Sequence, residues 1–499
     1  MVNVKWTLPS ISEFIFERIK MAKFNVNENK IITYEGGQAF VRNPAKTWIN
    51  FIFSSFLQNS YYKNSSDKIA RFIELTNYMR AAYGDEFVAK AAVMARNEIG
   101  VRSVSQLAAA ILNDSKMENK RAFFRNFCHR IDDVAEIFAA TDMLGQKKSH
   151  AMIRGCGDYL SNASVYSLGK YKMKNKKYNL FDIINITHAN SQAINDYKND
   201  NLAIPETWEV KISAAKTDGE KANIWFDLVN DGKLGYLALL RNLNNILKVI
   251  YIFNNNKSDY LINQIVNQLI DINKIRKSLV FPYQIYVAYK NLEVQNLKIV
   301  MALNEAFATS TVNIPEIEGN NTIILDVSGS MFCNASDHST ITMCELGAVY
   351  AVALFLKTRN VQLIKFGSTA KECDYKRYDN PFNLIDKFIS NDRCGNGTNI
   401  IPALSLINKE VDNIFIFSDM QIMEEYSYSG GANEMIHSFV EDGTHVFSFD
   451  LCTYNHTFMS DDVRIHYITG LNDSILKMIN ILREDENAIV NHINSVKYF

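Results

Sequence analysis

The spacing of apolar residues divides the chain into two patterns. From about residue 44 to 307, apolar residues recur at intervals of three and four, as in the stretches 48–52 and 72–79. This period predicts about ten or more helices joined by short polar links, stacked as an all-α, HEAT-like helical repeat. A short helix from 11 to 21 and a turn near 34–40 are predicted before them.

After the stretch 312–320, short β-branched runs alternate with helical segments, so we predict two domains, 1–318 and 319–499. The predicted strands are Thr322–Val327, Val361–Phe366, Asn413–Ser418, His445–Phe449 and Arg464–Ile468. The predicted helices are Ile341–Lys357, Phe382–Ile389, Ile400–Asn408, Asn433–Glu441 and Leu471–Leu482. This alternation is typical of an α/β, doubly wound, Rossmann-like domain with a mainly parallel sheet. The expected fold class is therefore multidomain, all-α repeat plus α/β.

Charge is divided unevenly between the two patterns. Residues 1–320 hold 40 of the 53 Lys and Arg and 31 of the 54 Asp and Glu, a net charge of +9, which leaves −10 for 321–499. A basic half suits a polyanionic partner, and an acidic half suits cations.

The seven cysteines include no CxxC pair, and there is neither a signal-peptide pattern nor an uninterrupted apolar span long enough for a bilayer. We therefore expect a reduced, cytoplasmic protein without a membrane partner. No GxxxxGK[ST], GxSxG or HExxH motif occurs, and no enzyme is predicted.

The most informative turn follows the first predicted strand of the second half. Asp326, Ser328 and Ser330 are spaced two apart, so three hard oxygen ligands can face one point at the carboxyl end of a strand. Magnesium and calcium prefer such ligands. The alternative is a Ser/Gly turn whose aspartate caps the next helix.

Two later segments supply partners for this turn. Thr398 lies in a glycine-flanked turn, and Asp419 ends another apolar strand. In a parallel sheet, Asp326 and Asp419 share one edge, and two close carboxylates repel each other unless a cation lies between them.

The motifs DVSGSM, GT and FSD together resemble a von Willebrand factor A domain with a metal-ion-dependent adhesion site. The resemblance implies that Asp326, Ser328, Ser330, Thr398 and Asp419 hold a divalent cation, Mg²⁺ first, with Mn²⁺ or Ca²⁺ also compatible. Such a cation would bind a carboxylate or phosphate oxygen of a partner.

The densest basic run, Lys170 to Tyr178, carries five lysines and two tyrosines. Lysines neutralise phosphates and aromatic rings stack on bases. Composition alone favours the alternative of a solvated, mobile loop.

Further segments resemble the TROVE domain of the Ro 60 kDa autoantigen family. They are Asp182–His188 after the basic run, Tyr61–Lys63, Gly235–Ile246 and Val280–Ala288. The resemblance implies a helical ring closed by the A domain, with small noncoding Y RNAs on its basic outer surface and single-stranded 3′ ends of misfolded RNAs in its central hole. No DNA is expected.

Carried over by position, the RNA-binding candidates are Lys170, Lys172, Lys174 and His188, with Arg154 and Arg241 as weaker ones. Arg241 has an alternative role, pairing with a carboxylate or capping carbonyls. A protein partner such as an exoribonuclease is possible under the resemblance. The rival function is a metal-dependent protein-interaction module on a helical scaffold without an RNA role.

Overall fold

The computed structural model describes residues 30–33, 36–41, 43–54, 65–171, 173, 176–202, 207–253, 255–335, 339–390, 392, 394–408, 410–423, 431–452, 456–469, 476, 479–484 and 488–499. The predicted helix at 11–21, the 61–63 motif, Lys172 and Lys174 lie outside these residues.

Helices dominate the first three hundred residues, as the periodicity predicts. They are α1 Pro44–Ser54, α2 Ser65–Tyr83, α3 Asp85–Met94, α4 Ser103–Ile111, α5 Lys120–Phe127, α6 Ile131–Met143, α7 His150–Ser161, α8 Val165–Lys170, α9 Leu180–Thr187, α10 Gln192–Lys198, α11 Trp208–Ala214, α12 Asp218–Asn230, α13 Tyr236–Ile250, α14 Asn255–Leu269, α15 Ile272–Ser278, α16 Pro282–Lys290 and α17 Leu297–Ser310. In the described chain, none of the helices combines the length and apolarity needed to cross a bilayer.

A buried ion pair ties α6 to the segment that follows α3. The π-helical turn Ala95–Ile99 carries Arg96, whose guanidinium binds both carboxylate oxygens of Asp133, at 3.1 and 2.8 Å. Asp133 is fully buried and also accepts the backbone N–H of Arg130, so it caps α6. Asp133 thus anchors α6 to the segment that carries Arg96.

The second half forms a six-stranded sheet. Its strands are β3 Asn320–Asp326, β4 Asn360–Phe366, β5 Ala370–Glu372, β6 Asn413–Ser418, β7 His445–Asp450 and β9 Ile465–Thr469, in the order β5-β4-β3-β6-β7-β9. All neighbours are parallel except the edge pair β4 and β5. The helices are α18 Met343–Lys357, α19 Pro381–Ile389, α20 Ile401–Ser405, α21 Ala432–Glu441, α22 Ile479–Glu484 and α23 Ala488–Ser495. The predicted fold class is confirmed.

The sheet is buried on both faces, which explains why its strands are continuously apolar. Ile323 and Leu325 of β3 belong to one core cluster, and Ile324 between them belongs to the other. The first cluster continues into the helical half, so the two halves share a core.

The structure differs from the predicted elements of this half in two places. The helix predicted at 400–408 is shorter because Asn408 turns away, its N–H donating to the Gln362 side chain at 3.1 Å. The short strand β5 was not predicted. The helix predicted at 471–482 lies partly outside the described residues, and α22 begins at Ile479.

Both ends of the helical half contact the α/β half. At one end, Tyr289 of α16 stacks on Phe382 of α19 with ring centroids 4.1 Å apart, and Lys290 binds Glu345 of α18 at 2.7 Å. At the other end, α23 packs on α3, and the carbonyl of Tyr498 accepts a hydrogen bond from Asn126 at 2.6 Å. The α/β half thereby closes the helical half on itself.

A hairpin precedes α1 and joins the second half. Its strands β1 Lys30–Ile32 and β2 Gln38–Val41 pair antiparallel, and β2 also pairs with β8 His456–Thr457. Residues 38–40, predicted as part of a turn, are therefore in a strand. The boundary between domains 1–318 and 319–499 stays a prediction.

Candidate functional site

The turn after β3 is organised around the carboxylate of Asp326. Its Oδ1 accepts the backbone N–H of Ser328 at 2.8 Å, and its Oδ2 accepts the hydroxyl of Ser418, at the end of β6, at 2.6 Å. Asp326 and Ser328 are fully buried. The hydroxyl oxygens of Ser328 and Ser330 lie 3.5 Å apart, so the turn directs two hydroxyls and one carboxylate toward the same edge.

The segments carrying Thr398 and Asp419 meet this turn. The N–H of Gly329 donates to the carbonyl of Asn396 at 2.9 Å, which brings the 395–399 turn alongside. Asp419 is fully buried, and its side chain is hydrogen-bonded to the hydroxyl of Ser330. Thr398 is almost fully buried, and its carbonyl accepts the N–H of Met423 at 2.9 Å, so the segments that carry the five predicted ligands meet at this edge of the sheet.

The carboxylates at this edge are poorly satisfied by the protein alone. Asp419 Oδ1 accepts the N–H of Gln421 at 3.1 Å, whereas Oδ2 is buried without a hydrogen-bond partner. Burial raises the pKa of Asp326 to about 6. Burial and the negative charge of Asp326 raise the pKa of Asp419 to about 7. A divalent cation between them would favour both charged forms, so the residues present fit such an ion.

Any cation here would depend on hydroxyls as well as carboxylates. Within the described parts of the chain, no group of three or more His, Cys, Asp and Glu side chains is placed to hold a metal ion. Oxygen donors of this mixed kind suit magnesium and calcium. A cation held by these donors would position and neutralise an anionic oxygen of a partner, and this requires no chemical step.

Asp450 is a further acidic residue at this edge, and the sequence motifs did not single it out. This fully buried residue ends β7, opposite Ser418 in the register of β6 and β7. Its Oδ1 accepts the N–H of Cys452 at 3.1 Å, and its charge contributes to the raised pKa of Asp419. The signal was present: Phe449-Asp450 ends an apolar strand in an aspartate, as Ser418-Asp419 does.

The basic candidates of the helical half lie mainly on α7 to α9. Arg154 on α7 is exposed, as are Lys170 at the end of α8 and His188 just after α9. His188 ends α9 in the left-handed conformation, with φ 54°. Its position depends on Gly157 of α7, because a Cβ there would lie 2.8 Å from the Thr187 carbonyl oxygen.

Acidic residues partly neutralise the basic run. Lys170 Nζ lies 3.4 Å from Glu209, Lys176 Nζ 2.6 Å from Glu136, and Lys177 Nζ 2.8 Å from Asp142. These ion pairs are at least one-third exposed on the lysine side, so each contributes little stability and can exchange for a phosphate.

Aromatic side chains that the sequence motifs did not single out lie in the same region. Tyr166 is 51% exposed and its ring centroid lies 5.5 Å from Lys170 Nζ, and Phe181 of α9 is 49% exposed. An exposed ring beside a lysine can stack on a base while the lysine contacts a phosphate.

Arg241 lies elsewhere, on α13, which packs against α12, α14 and α16. It is exposed and takes part in none of the ion pairs found among the described residues. The structure thus gives no carboxylate partner to Arg241 within that set, and it does not bring Arg241 to the group on α7 to α9.

Comparisons with known proteins find similarity over part of the sequence. The model of the TROVE domain matches residues 187–355. Telomerase protein component 1 is 48% identical over 47 residues in Mus musculus and 45% identical over 47 residues in Rattus norvegicus, which is 9% of this chain and 2% of each relative. The chain thus spans only a small fraction of these curated relatives.

A solved structure shares the fold of the chain. The crystal structure of the Deinococcus radiodurans Ro (RSR) protein is similar to this chain with a TM-score of 0.63, covering 88% of this chain and 99% of that one at 14% identity. The chain thus matches the TROVE domain over residues 187–355 and has the fold of this Ro protein, which agrees with the resemblance that its sequence motifs indicated.

Proposed function

We propose that this protein is an RNA-binding scaffold of the Ro type. Its partners are small noncoding Y-like RNAs and the single-stranded 3′ ends of misfolded RNAs. One observation carries the proposal: Arg154, Lys170 and His188 are each exposed, on α7, at the end of α8 and just after α9, in a helical half that contacts the α/β half at both ends. Phosphates would be held by charge, and the exposed rings of Tyr166 and Phe181 would stack on unpaired bases.

A reversal of charge on this surface tests the proposal. The variant Arg154→Glu/Lys170→Glu should bind a Y-like RNA much more weakly, and the slope of log affinity against log salt should fall by about 0.7 to 0.9 for each phosphate that the variant no longer neutralises. The matched control is Arg276→Glu/Lys277→Glu on α15, which makes the same charge change at exposed residues. Equal affinity for wild type and the α7–α8 variant, with both folded, would refute the assignment.

The cation site supports a second interaction on the same protein. A divalent cation, Mg²⁺ or else Mn²⁺ or Ca²⁺, would be held by Asp326, Ser328, Ser330, Thr398 and Asp419. The ion would coordinate a carboxylate oxygen of a protein partner such as an exoribonuclease. This activity is separate from RNA binding, so Asp326→Ala should weaken cation-dependent protein capture and leave RNA affinity unchanged. Equal loss of RNA affinity in Asp326→Ala and in the α7–α8 variant would contradict this division.

The buried, unpaired Oδ2 of Asp419 also favours the rival function, a cation-dependent protein-interaction module without an RNA role. The two functions differ in the purified protein. Ribonuclease-sensitive nucleic acid that copurifies supports the first. Nucleic-acid-free protein that captures an acidic peptide only with Mg²⁺ supports the second.

A further inference from the structure

Three arginines lie on the packed helices α5 and α7, and the sequence motifs singled out only Arg154 of α7. Arg121 and Arg125 lie one helical turn apart on α5, and Arg154 lies one turn before Asp158 on α7. All three arginines are exposed. We propose that Arg125 and Arg154 form a two-arginine site for one phosphate group of an RNA backbone, which adds α5 to the RNA-binding surface.

Gly155 of α7 allows the two helices to come into backbone contact. A Cβ at this position would overlap the carbonyl oxygen of Arg121 and would lie 3.1 Å from the backbone nitrogen of Arg125. Asp158 accepts the Nε–H and Nη2–H groups of Arg121 at 2.7 and 2.8 Å. Because Asp158 lies opposite Arg121 while Gly155 lies against Arg125, the two helices run in opposite directions. Arg125 and Arg154 are therefore neighbours across the helix pair, one turn from this ion pair.

The charge of Arg121 is balanced by Asp158, whereas the neighbouring arginines have only each other and neutral groups. Arg125 Nε donates to the Asn126 side chain at 3.1 Å. Neither Arg125 nor Arg154 takes part in an ion pair found in the described part of the chain. Hydrogen bonds from Arg121 hold the pKa of Asp158 below its usual value. The positive charges of Arg125 and Arg154 lower the same pKa further, as expected for guanidinium groups near this carboxylate.

A phosphate group is the anion that suits this site best. A planar guanidinium donates two parallel N–H groups to phosphate oxygens, and two neighbouring guanidinium groups repel each other unless an anion lies between them. Arg154 also belongs to the basic surface of α7 to α9, so the phosphate that it contacts is part of the same RNA. The two-arginine site therefore rests on the proposed RNA-binding function and extends it to α5.

Neutral substitutions in the full-length protein test the site. Arg125→Gln should weaken the binding of a synthetic stem–loop RNA with an unpaired 3′ end by about tenfold or more, because a charge-assisted contact with a phosphate is lost. The matched control is Arg276→Gln, at an exposed arginine of α15, which should bind as wild type does. Lys170→Gln reports on the proposed function alone. Urea denaturation checks that each variant folds as wild type does.

The double variant Arg125→Gln/Arg154→Gln shows whether both arginines hold one phosphate. If they do, the double variant should bind about as weakly as either single variant. The slope of log affinity against log salt should fall by about 0.7 to 0.9, the value for one phosphate. Independent contacts would instead multiply the two losses of affinity and double the fall in slope, and this result would overturn the shared site.

The same measurements distinguish the two-arginine site from the proposed function. Weaker binding by Lys170→Gln with unchanged binding by Arg125→Gln would overturn the site and leave the RNA-binding function standing. An absence of RNA binding by wild type would overturn both. If Arg125→Gln lost the capture of an acidic peptide and kept its RNA affinity, the arginines would serve a protein partner, and the phosphate site would be wrong.

Discussion

Replacing Asp419 by asparagine should change stability in opposite directions with and without a divalent cation. Without one, burial and the charge of Asp326 raise the pKa of Asp419 from 3.8 to about 7. Each pH unit corresponds to about 1.4 kcal/mol, so the ionised carboxylate destabilises the cation-free folded state by about 4 kcal/mol above pH 7. Asparagine removes the charge and keeps an oxygen that can accept the N–H of Gln421.

The pH dependence follows from the direction of the pKa change. Because the folded pKa lies above the unfolded one, the destabilisation is absent below about pH 4 and grows as pH rises through about 7. Cation-free wild type should therefore lose stability relative to Asp419→Asn across this range. With Mg²⁺ at about 100 times its dissociation constant, wild type should gain about 2.7 kcal/mol, and the variant should gain much less.

Urea denaturation at pH 8, with a chelator and then with Mg²⁺, measures both effects. Asp442→Asn, at an exposed carboxylate just after α21, is the control and should respond to the cation as wild type does. The reasoning is wrong if Asp419→Asn is less stable than wild type in the chelator and if Mg²⁺, Mn²⁺ and Ca²⁺ all leave wild type unchanged.

Two further predictions concern the helical half. Asp133→Ala leaves the buried guanidinium of Arg96 without its carboxylate, so the free energy of unfolding measured in urea should fall by about 3–5 kcal/mol. A fall of less than about 1 kcal/mol would show that water already solvates the ion pair. Gly157→Ala places a Cβ 2.8 Å from the Thr187 carbonyl oxygen, so α9 and His188 must shift and RNA affinity should fall in a filter-binding assay. Gly219→Ala, whose Cβ has its nearest contact at 4.0 Å, is the control and should bind as wild type does.

The meeting of Asp326 and Asp419 at one edge of the sheet could be predicted from the sequence because the carboxyl ends of parallel strands lie at the same edge. Asp326 and Asp419 each close an apolar run, and the order of strands brings those runs side by side. Asp450 also ends an apolar run, but its place opposite Ser418 depends on the register of β6 and β7. A register is fixed by contacts between strands and is not visible in one strand alone.

The basic surface was less predictable. The run from Lys170 to Lys177 is evident in the sequence, but its neutralisation by Glu136, Asp142 and Glu209 depends on contacts between residues far apart in the chain. Composition measures net charge and does not say which charges meet. Exposed Tyr166 and Phe181 were overlooked for a related reason, since apolar residues in helices are usually buried.

The largest departure from the predicted organisation lies beside the candidate cation site. The hydroxyl of Thr33 donates to the carbonyl of Ile422 at 2.9 Å and accepts the N–H of Gly37 at 2.9 Å. A Cβ on Gly37 would overlap the same carbonyl, so only glycine allows this approach.

The segment 421–423 that the hairpin contacts also touches two of the candidate ligands. The N–H of Gln421 donates to Asp419 at 3.1 Å, and that of Met423 donates to the Thr398 carbonyl at 2.9 Å. The hairpin in turn leads directly into α1, which packs on β9. Residues assigned by the sequence to the helical domain therefore hold the loop that carries candidate cation ligands. The two halves are thus joined at the candidate cation site as well as through the shared core.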